Sequence, residues 1–214
     1  MLFRSSTSKA LAFILSLLCC FTSAVSGAPE NNKQKPQSSY ELMSAENKAM
    51  QDDASLNPAM FWVGDGEALW NKSSEQNGKS CASCHGDAKK SMRGVAAVYP
   101  KMIKSKLQTL EGQINQCRTQ AQALTSLAYE SKDLLALTAY VAYQSKGMPI
   151  TVRETAENKS AMQKGRKIFY ERMGQLNLSC AQCHEERSGL KLGGAVIPQG
   201  HPNAYPIYRL EWQT

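Results

Sequence analysis

The sequence predicts an all-α fold made of two tandem units, of which the second is incomplete. The pentapeptide C-x-x-C-H occurs twice among the 214 residues, at Cys81–His85 and at Cys180–His184, 99 positions apart. A glycine and apolar residues precede both copies at the same offset, which is the signature of an internal duplication. A pattern typical of a closing helix follows only the first copy.

The first 26 residues have the layout of a cleaved secretory signal. Arg4 and Lys9 precede an apolar run from Leu11 to Phe21, and small residues follow it. A run of this length is shorter than the roughly 20 residues that span a bilayer. We predict a signal peptide over residues 1–26, a periplasmic location and no membrane span in the mature protein. An uncleaved N-terminal anchor is the alternative.

Residues 27–39 are polar, contain two prolines from Pro29 onward and are interpreted as a flexible linker. From Tyr40 the composition becomes globular. We predict a first domain over residues 40–150 and a second, partial domain over residues 151–214.

The cysteine count leaves one thiol unexplained. Loss of Cys19 and Cys20 with the signal leaves five of seven cysteines, and the two pentapeptides contain four of them. Cys117 is the fifth, and an unpaired thiol in an oxidising compartment tends to oxidise unless a partner occupies it. The net charge falls from +7 to +5 without Arg4 and Lys9, and no basic block with interleaved aromatic residues indicates nucleic-acid binding.

Each pentapeptide is suited to covalent attachment of haem. Two thiols two residues apart bind the two vinyl groups of one haem, and the adjacent histidine reaches the iron. Zinc ribbons pair their C-x-x-C units across about 15–20 residues, whereas 96 positions separate Cys84 from Cys180, and a thioredoxin motif needs no such histidine. We therefore predict two covalently bound haem c groups. Their attachment residues are Cys81, Cys84, Cys180 and Cys183, and their iron-ligating histidines are His85 and His184.

The duplication extends upstream of both motifs. Gly66, Leu69 and Trp70 correspond to Gly165, Ile168 and Phe169 at the offset of 99. We interpret this as a duplicated cytochrome c-like unit in which a short helix carries an aromatic residue toward the attachment motif. Contact with haem and ordinary core packing are both open for Trp70 and Phe169.

Two helices are predicted after the first motif. Leu107, Leu110, Ile114 and Cys117 recur at steps of three, four and three, which places Cys117 on the apolar face of one helix. A second helix runs from the N-cap Ser131 to about Lys146, followed by Gly147 and Pro149 as a stop signal. The buried face of this second helix is predicted to contain Leu134, Leu137, Val141 and Ala142.

Repeating this pattern in the second unit places a closing helix near positions 230–245 and a counterpart of Cys117 near position 216. The given sequence ends at Thr214. Either the second domain is abbreviated or the chain is a fragment whose closing helices are missing, and the repeat favours the fragment.

The sequence offers candidates for the sixth ligand of each haem iron. For the first haem the candidates are Cys117, Met92, Met102 and Met148. Ligation would explain the odd thiol, because a thiolate bound to ferric iron is protected from oxidation, although an inert buried cysteine is the alternative. Thiolate ligation would lower the haem potential. In the second unit the remaining histidine is His201, for which a turn or surface role is the alternative.

Several segments outside the haem motifs closely resemble the SoxA family of cytochromes from bacterial thiosulfate oxidation. The resemblance covers the chain from about Met50 to its end. It is carried by Met50–Asp53, Asn57–Pro58, Phe61–Val63, Gly66–Trp70, Met92–Ala96, Tyr99–Lys101, Ile114–Arg118 and His201–Gln213.

The resemblance implies a periplasmic L-cysteine S-thiosulfotransferase. Such an enzyme attaches thiosulfate oxidatively to a cysteine of the SoxYZ carrier, works with a monohaem SoxX subunit and passes electrons to a cytochrome c acceptor. The resemblance further implies that Cys117 ligates the first haem and that this haem is not the catalytic one. The catalytic persulfide cysteine and a nearby arginine would follow Thr214, so no catalytic residue is expected within this chain and the fragment alone is expected to be inactive.

Two rival functions remain. A dihaem electron-transfer cytochrome would have methionine or histidine at both sixth positions. A dihaem thiosulfate dehydrogenase would form tetrathionate without a carrier protein.

Overall fold

The structure is a computed structural model that describes residues 35–201, all but the first of which belong to the compact unit Pro36–Thr214. The predicted signal peptide and most of the predicted linker lie outside these residues. The helices described are α1 (Ala45–Asp52), α2 (Ala59–Asn71), α3 (Cys81–His85), α4 (Ala88–Ser91), α5 (Leu110–Ala121), α6 (Lys132–Tyr143), α7 (Lys159–Tyr170) and α8 (Cys180–His184), with 3₁₀ turns at Ser39–Leu42 and Ala96–Val98.

Two small antiparallel hairpins accompany the helices in the described part of the chain. One pairs β1 (Lys101–Ile103) with β2 (Lys106–Gln108), and the other pairs β3 (Lys191–Leu192) with β4 (Ala195–Val196). Because these strands are two or three residues long, the predominantly helical prediction is confirmed. No helix within residues 35–201 has the length and apolar character needed to cross a bilayer.

The packing of α2 against α6 forms the core. Leu134 and Leu137 are each 1% exposed, and Val141 and Ala142 are each 3% exposed. These four residues are the predicted buried face, which is confirmed. The helix itself begins after Ser131, as expected, and ends three residues earlier than predicted because its last hydrogen bonds tighten into turns before Gly147.

Close approach of α2 to α6 depends on Gly66. A Cβ atom at this position would lie 2.1 Å from the carbonyl oxygen of Ala136 and 2.6 Å from Cβ of Tyr140. Only glycine allows the two backbones to approach so closely. At the edge of the same interface, Lys132 of α6 pairs with Asp65 of α2 at 3.3 Å.

The predicted helix that contains Cys117 begins later than expected. The assignment of Leu107 to it is wrong, because Thr109 caps the helix at its N-terminus by accepting a hydrogen bond from the backbone of Gly112 at 3.1 Å. Leu107 instead lies in β2, opposite Met102, and is 51% exposed. The three-residue spacing between Leu107 and Leu110 matches a helix only by coincidence, because Leu107 belongs to β2 and Leu110 to α5.

The second unit repeats the first through its attachment motif. Helix α7 occupies the position of α2, and α8 occupies that of α3, at the predicted offset of 99 residues. In contrast with α2, however, α7 has no buried residue, and a Cβ atom at Gly165 would meet nothing within 4 Å among the described residues. Thus no residue within the described range covers the face of α7 that corresponds to the face of α2 beneath α6.

Candidate haem sites

The first attachment motif forms a single helical turn with capped ends. The Ser80 and Ser83 hydroxyls each accept a hydrogen bond from the backbone N–H of the other, at 3.0 and 2.7 Å. Gly86, with φ of +64°, ends the turn in a backbone conformation that favours glycine. Cys81 and Cys84 therefore lie one turn apart with free thiols, as two-point attachment requires.

Hydrogen bonds fasten the loop before this motif to the end of α5. The hydroxyl of Ser74 donates to the carbonyl of Gln122 at 2.7 Å, and the Asn77 amide donates to that of Ala121 at 3.0 Å. The side chain of Gln122 in turn donates to the carbonyl of Lys79 at 3.3 Å. As a result, the helix that carries Cys117 is fixed relative to the thiols that would hold the first haem.

A cluster of sulfur and polar groups surrounds Cys81. Burial raises the pKa of the Cys81 thiol, Cys117 adds to the rise, and the Arg118 guanidinium opposes it. Both of these electrostatic influences come from neighbouring positions of α5. The Nε atom of Arg118 is buried and has no hydrogen-bond partner among the described residues.

The side-chain amide of Gln113 contacts Cys117. Gln113 Nε2 lies 3.4 Å from Cys117 Sγ, within hydrogen-bonding range for sulfur. Both side chains are half-buried and lie one turn apart on α5.

Trp70 joins the first motif to the core. Its indole Nε1 donates to the carbonyl of Gly86 at 3.0 Å, and its ring centroid lies 5.7 Å from that of His85. It also meets the ring of Tyr140 edge-on at 5.9 Å, and only 4% of Trp70 is exposed. Trp70 is therefore a core residue that also contacts the histidine expected to bind iron.

Three methionines are the other candidate ligands in this unit. Met92 packs against the core cluster that contains Trp70. Met148 Sδ lies 3.3 Å from where a Cβ atom on Gly94 would stand. Met102 is half-buried in β1.

The second motif is built in the same way. The backbone N–H of Ser179 donates to Gln182 Oε1 at 2.9 Å, which caps α8. Cys180 is exposed and Cys183 is half-buried, and both thiols are free. This turn therefore presents the same pair of thiols as the first.

His184 is held in a defined tautomer. Its Nδ1 lies 3.0 Å from the carbonyl oxygen of Pro198, and because a carbonyl only accepts, Nδ1 carries the proton. The other ring nitrogen, Nε2, is left with its lone pair for iron, the arrangement that orients ligating histidines. The Gly200 N–H donates to the carbonyl of His184 at 3.1 Å and keeps this loop against the motif.

The remaining histidine of the second unit lies next to that loop. His201 Nε2 is 3.2 Å from Gln199 Oε1, and the His201 backbone N–H donates to the Gln199 carbonyl at 2.9 Å. Its neighbour Gly200 packs closely on the ring of Phe169, at 2.7 Å from an added Cβ atom. Phe169 is thus the counterpart of Trp70 in packing beside its motif.

Sequence reasoning did not identify Pro198, Gln113 or Arg118. Gln113 could have been found from its spacing of four residues before Cys117 on a predicted helix. Pro198 acts through a backbone carbonyl, which carries no sequence signal. Arg118 adjoins Cys117 in the sequence, but the burial of its unpartnered Nε atom follows from tertiary packing.

The chemistry of these residues fits haem c. Each unit offers two free thiols on one helical turn followed at once by a histidine, and in the second unit the histidine has its metal-binding nitrogen available. The orphaned Nε atom of Arg118, one residue after Cys117, is also a buried polar group for which a bound group can provide a partner. Fold and sites together define a cytochrome c-type protein.

Comparison with known proteins agrees with this class. The model described as the SoxA/TsdA cytochrome c domain matches residues 65–150. SoxA of Rhodovulum sulfidophilum, described as an L-cysteine S-thiosulfotransferase subunit, is 37% identical over 177 residues, which cover 82% of this chain and 62% of that protein. SoxA of Pseudaminobacter salicylatoxidans, with the same description, is 35% identical over 186 residues, or 85% of this chain and 65% of that protein.

A solved structure is similar as well. The crystal structure of SoxXA from P. pantotrophus matches with a TM-score of 0.78 and 32% identity, covering 84% of this chain and 68% of the matched chain. The chain belongs to the SoxA family. It spans slightly less than two thirds of the length of the two SoxA proteins above.

Proposed function

We propose that this chain is part of a periplasmic dihaem cytochrome that catalyses the oxidative attachment of thiosulfate to a cysteine of a SoxYZ-like carrier. The observation that carries the proposal is the 37% identity to a protein described as an L-cysteine S-thiosulfotransferase subunit. The two capped C-x-x-C-H turns support it, because they supply attachment points for two haem c groups.

The reaction forms one sulfur–sulfur bond and releases two electrons. The carrier thiolate bonds to the outer sulfur of thiosulfate, and the product is a cysteine S-thiosulfonate with a single negative charge. Bound haem supplies one-electron redox chemistry. Cys180, Cys183 and His184 would hold the second haem, next to the reaction centre, while Cys81, Cys84, His85 and Cys117 would hold the first.

The catalytic persulfide cysteine of the enzyme is proposed to lie after Thr214. The 99-residue repeat places the counterpart of Cys117 near position 216, and the matched SoxA proteins are longer than this chain.

Three partners follow from the proposal. A SoxX-like monohaem subunit would receive electrons, for which the similarity to a SoxXA structure is the support. A SoxYZ-like protein would carry the growing sulfur adduct, and a soluble cytochrome c would be the final acceptor. The signal-like residues 1–26 support export of the chain to the periplasm, where these reactions would occur.

The test uses the protein encoded by the complete gene, copurified with its SoxX-like subunit. Thiosulfate, the carrier and oxidised cytochrome c are added, and both cytochrome reduction and the mass of the carrier are followed. We expect two equivalents of cytochrome c to be reduced for each thiosulfate attached. A carrier whose acceptor cysteine is replaced by alanine is the control and should give neither signal.

Paired variants then separate the roles of the two units. Cys180→Ala with Cys183→Ala is expected to abolish turnover, whereas Cys117→Ala is expected to retain it because the first haem is not the catalytic one. Formation of tetrathionate without a carrier would assign the protein as a thiosulfate dehydrogenase instead. Reversible reduction with no sulfur product under either condition would assign it as an electron-transfer cytochrome.

A further inference from the structure

Gln113 is placed to act on the sulfur of Cys117. The two residues are separated by four positions on α5, and their side chains therefore lie on the same face of the helix. Gln113 Nε2 is 3.4 Å from Cys117 Sγ. The half-buried position of both residues limits competition from water for this contact.

The helix start fixes where the Gln113 side chain begins. The backbone N–H of Gln113 donates to the carbonyl of Thr109 at 3.0 Å, and the Thr109 hydroxyl caps the same turn through Gly112. Gln113 therefore lies in a well-formed first turn. Because the backbone of this turn is fixed, rotation about the side-chain bonds of Gln113 is enough to point its amide at the sulfur.

A thiolate can interact favourably with only one end of this amide. It has no proton to donate, so the carbonyl oxygen of Gln113 would be repelled by it, whereas the NH₂ group can donate to it. Rotation of the terminal amide by half a turn selects the NH₂ end. Coordination of Cys117 to iron would therefore strengthen the contact already present.

We propose that Gln113 is a positioning residue that tunes the first haem by donating a hydrogen bond to its cysteine ligand. This inference rests on the proposed ligation of that haem by Cys117. A hydrogen bond withdraws charge from the thiolate, so the sulfur stabilises the ferric iron less and the potential of the couple is higher than without the bond. Gln113 thereby offsets part of the low potential that thiolate ligation imposes.

Gln116 provides a matched control on the same helix. It is also a glutamine, it is exposed, and its backbone carbonyl accepts a hydrogen bond from Thr119 Oγ1 at 3.1 Å. Replacement of either glutamine by leucine changes helix propensity equally. Only Gln113→Leu removes a donor from Cys117.

The experiment is a redox titration of the dihaem holoprotein followed by electron paramagnetic resonance. The low-spin ferric signal that Cys117→Ala abolishes identifies the first haem. We expect Gln113→Leu to shift the ferric/ferrous equilibrium of this signal about tenfold toward ferric, which is about 59 mV lower for a one-electron couple. Gln116→Leu is expected to titrate like the wild type. An unchanged potential in Gln113→Leu, or an equal shift in Gln116→Leu, would overturn the inference.

A measurement on the wild type covers the case in which Gln113→Leu does not retain haem. Resonance Raman spectra are recorded in H₂O and in D₂O, and the iron–sulfur stretch is expected to shift because the amide protons on the sulfur exchange. A stretch that does not change on exchange would contradict the hydrogen bond. If no signal depends on Cys117 at all, the ligation proposal fails instead, so the two failures are distinguishable.

Discussion

At the scale of single residues, the first attachment site holds one of its two thiols, Cys81, in a partly buried environment. Cys81 lies between the core and the end of α5, whereas Cys180 of the second unit is exposed. Burial, reinforced by Cys117 and opposed by Arg118, raises the pKa of the Cys81 thiol. The raised pKa keeps this thiol protonated to higher pH, and the protonated form is the less nucleophilic one.

We predict that Cys81 in the haem-free protein reacts with iodoacetamide more slowly than Cys180 near pH 8. Its rate should rise as the pH passes through the raised pKa, because the thiolate then forms. Peptide mass spectrometry at increasing pH measures both sites in the same sample. Equal labelling of Cys81 and Cys180 near pH 8 would show that the buried environment is absent.

Trp70→Phe tests the link between the core and the first motif. The substitution keeps an aromatic ring, as the second unit has at Phe169, but removes the N–H donated to the carbonyl of Gly86. We predict a loss of about 1–2 kcal/mol in the free energy of unfolding. Chemical denaturation checks this value, and a variant as stable as the wild type would contradict a structural role for the hydrogen bond.

At the scale of elements, the two units differ in what covers the helix before each motif. Helix α2 is packed by α6 through Gly66, and α7 presents the corresponding Gly165 to open space in the described chain. The two glycines thus occupy equivalent sequence positions with different surroundings. This difference makes them a natural pair for mutagenesis.

In the 214-residue chain, Gly66→Ala is predicted to destabilise the first unit by about 3 kcal/mol, because its Cβ atom would collide with the Ala136 backbone. Gly165→Ala is predicted to be neutral or to stabilise α7 by up to about 1 kcal/mol through helix propensity. Thermal unfolding of both variants tests the contrast. A comparable loss at both positions would mean that Gly165 is already covered by another part of the chain.

The helices of the first unit could be predicted closely because their signals are local. Ser131 and the spacing of Leu134, Leu137 and Val141 identified α6, and the repeat located α7 and α8. The hairpin of β1 and β2 was not predicted, since it depends on positive φ angles at Lys104 and Ser105, which lack a glycine signal. Leu107 lies in β2 of this hairpin, and its spacing to the apolar residues of α5 resembles that of a helix by chance.

The candidate sites were predictable in their chemistry but not in their surroundings. The C-x-x-C-H motif names the thiols and the histidines directly. The Pro198 carbonyl on His184 and the amide of Gln113 on Cys117 arise from folding of the chain around those residues. The identity of the sixth ligands therefore stays a prediction.

At the scale of the whole molecule, the two attachment motifs predict two haem groups on one chain. We predict that the exported protein carries two covalent haems by intact mass and by haemochrome absorbance. Cys81→Ala with Cys84→Ala should leave one haem, and so should Cys180→Ala with Cys183→Ala. A single haem in the wild type would restrict the cytochrome function to one of the two units.

Ligation of the first haem by Cys117 is the prediction on which the proposed roles of Cys117 and Gln113 depend. It is tested most directly by low-temperature electron paramagnetic resonance of the ferric holoprotein, with Cys117→Ala compared against the wild type. We predict low-spin thiolate signals in the wild type, with the signal of the first haem lost in the variant while the protein keeps both covalent haems. An unchanged spectrum in Cys117→Ala would contradict it and would assign Cys117 as an inert buried thiol.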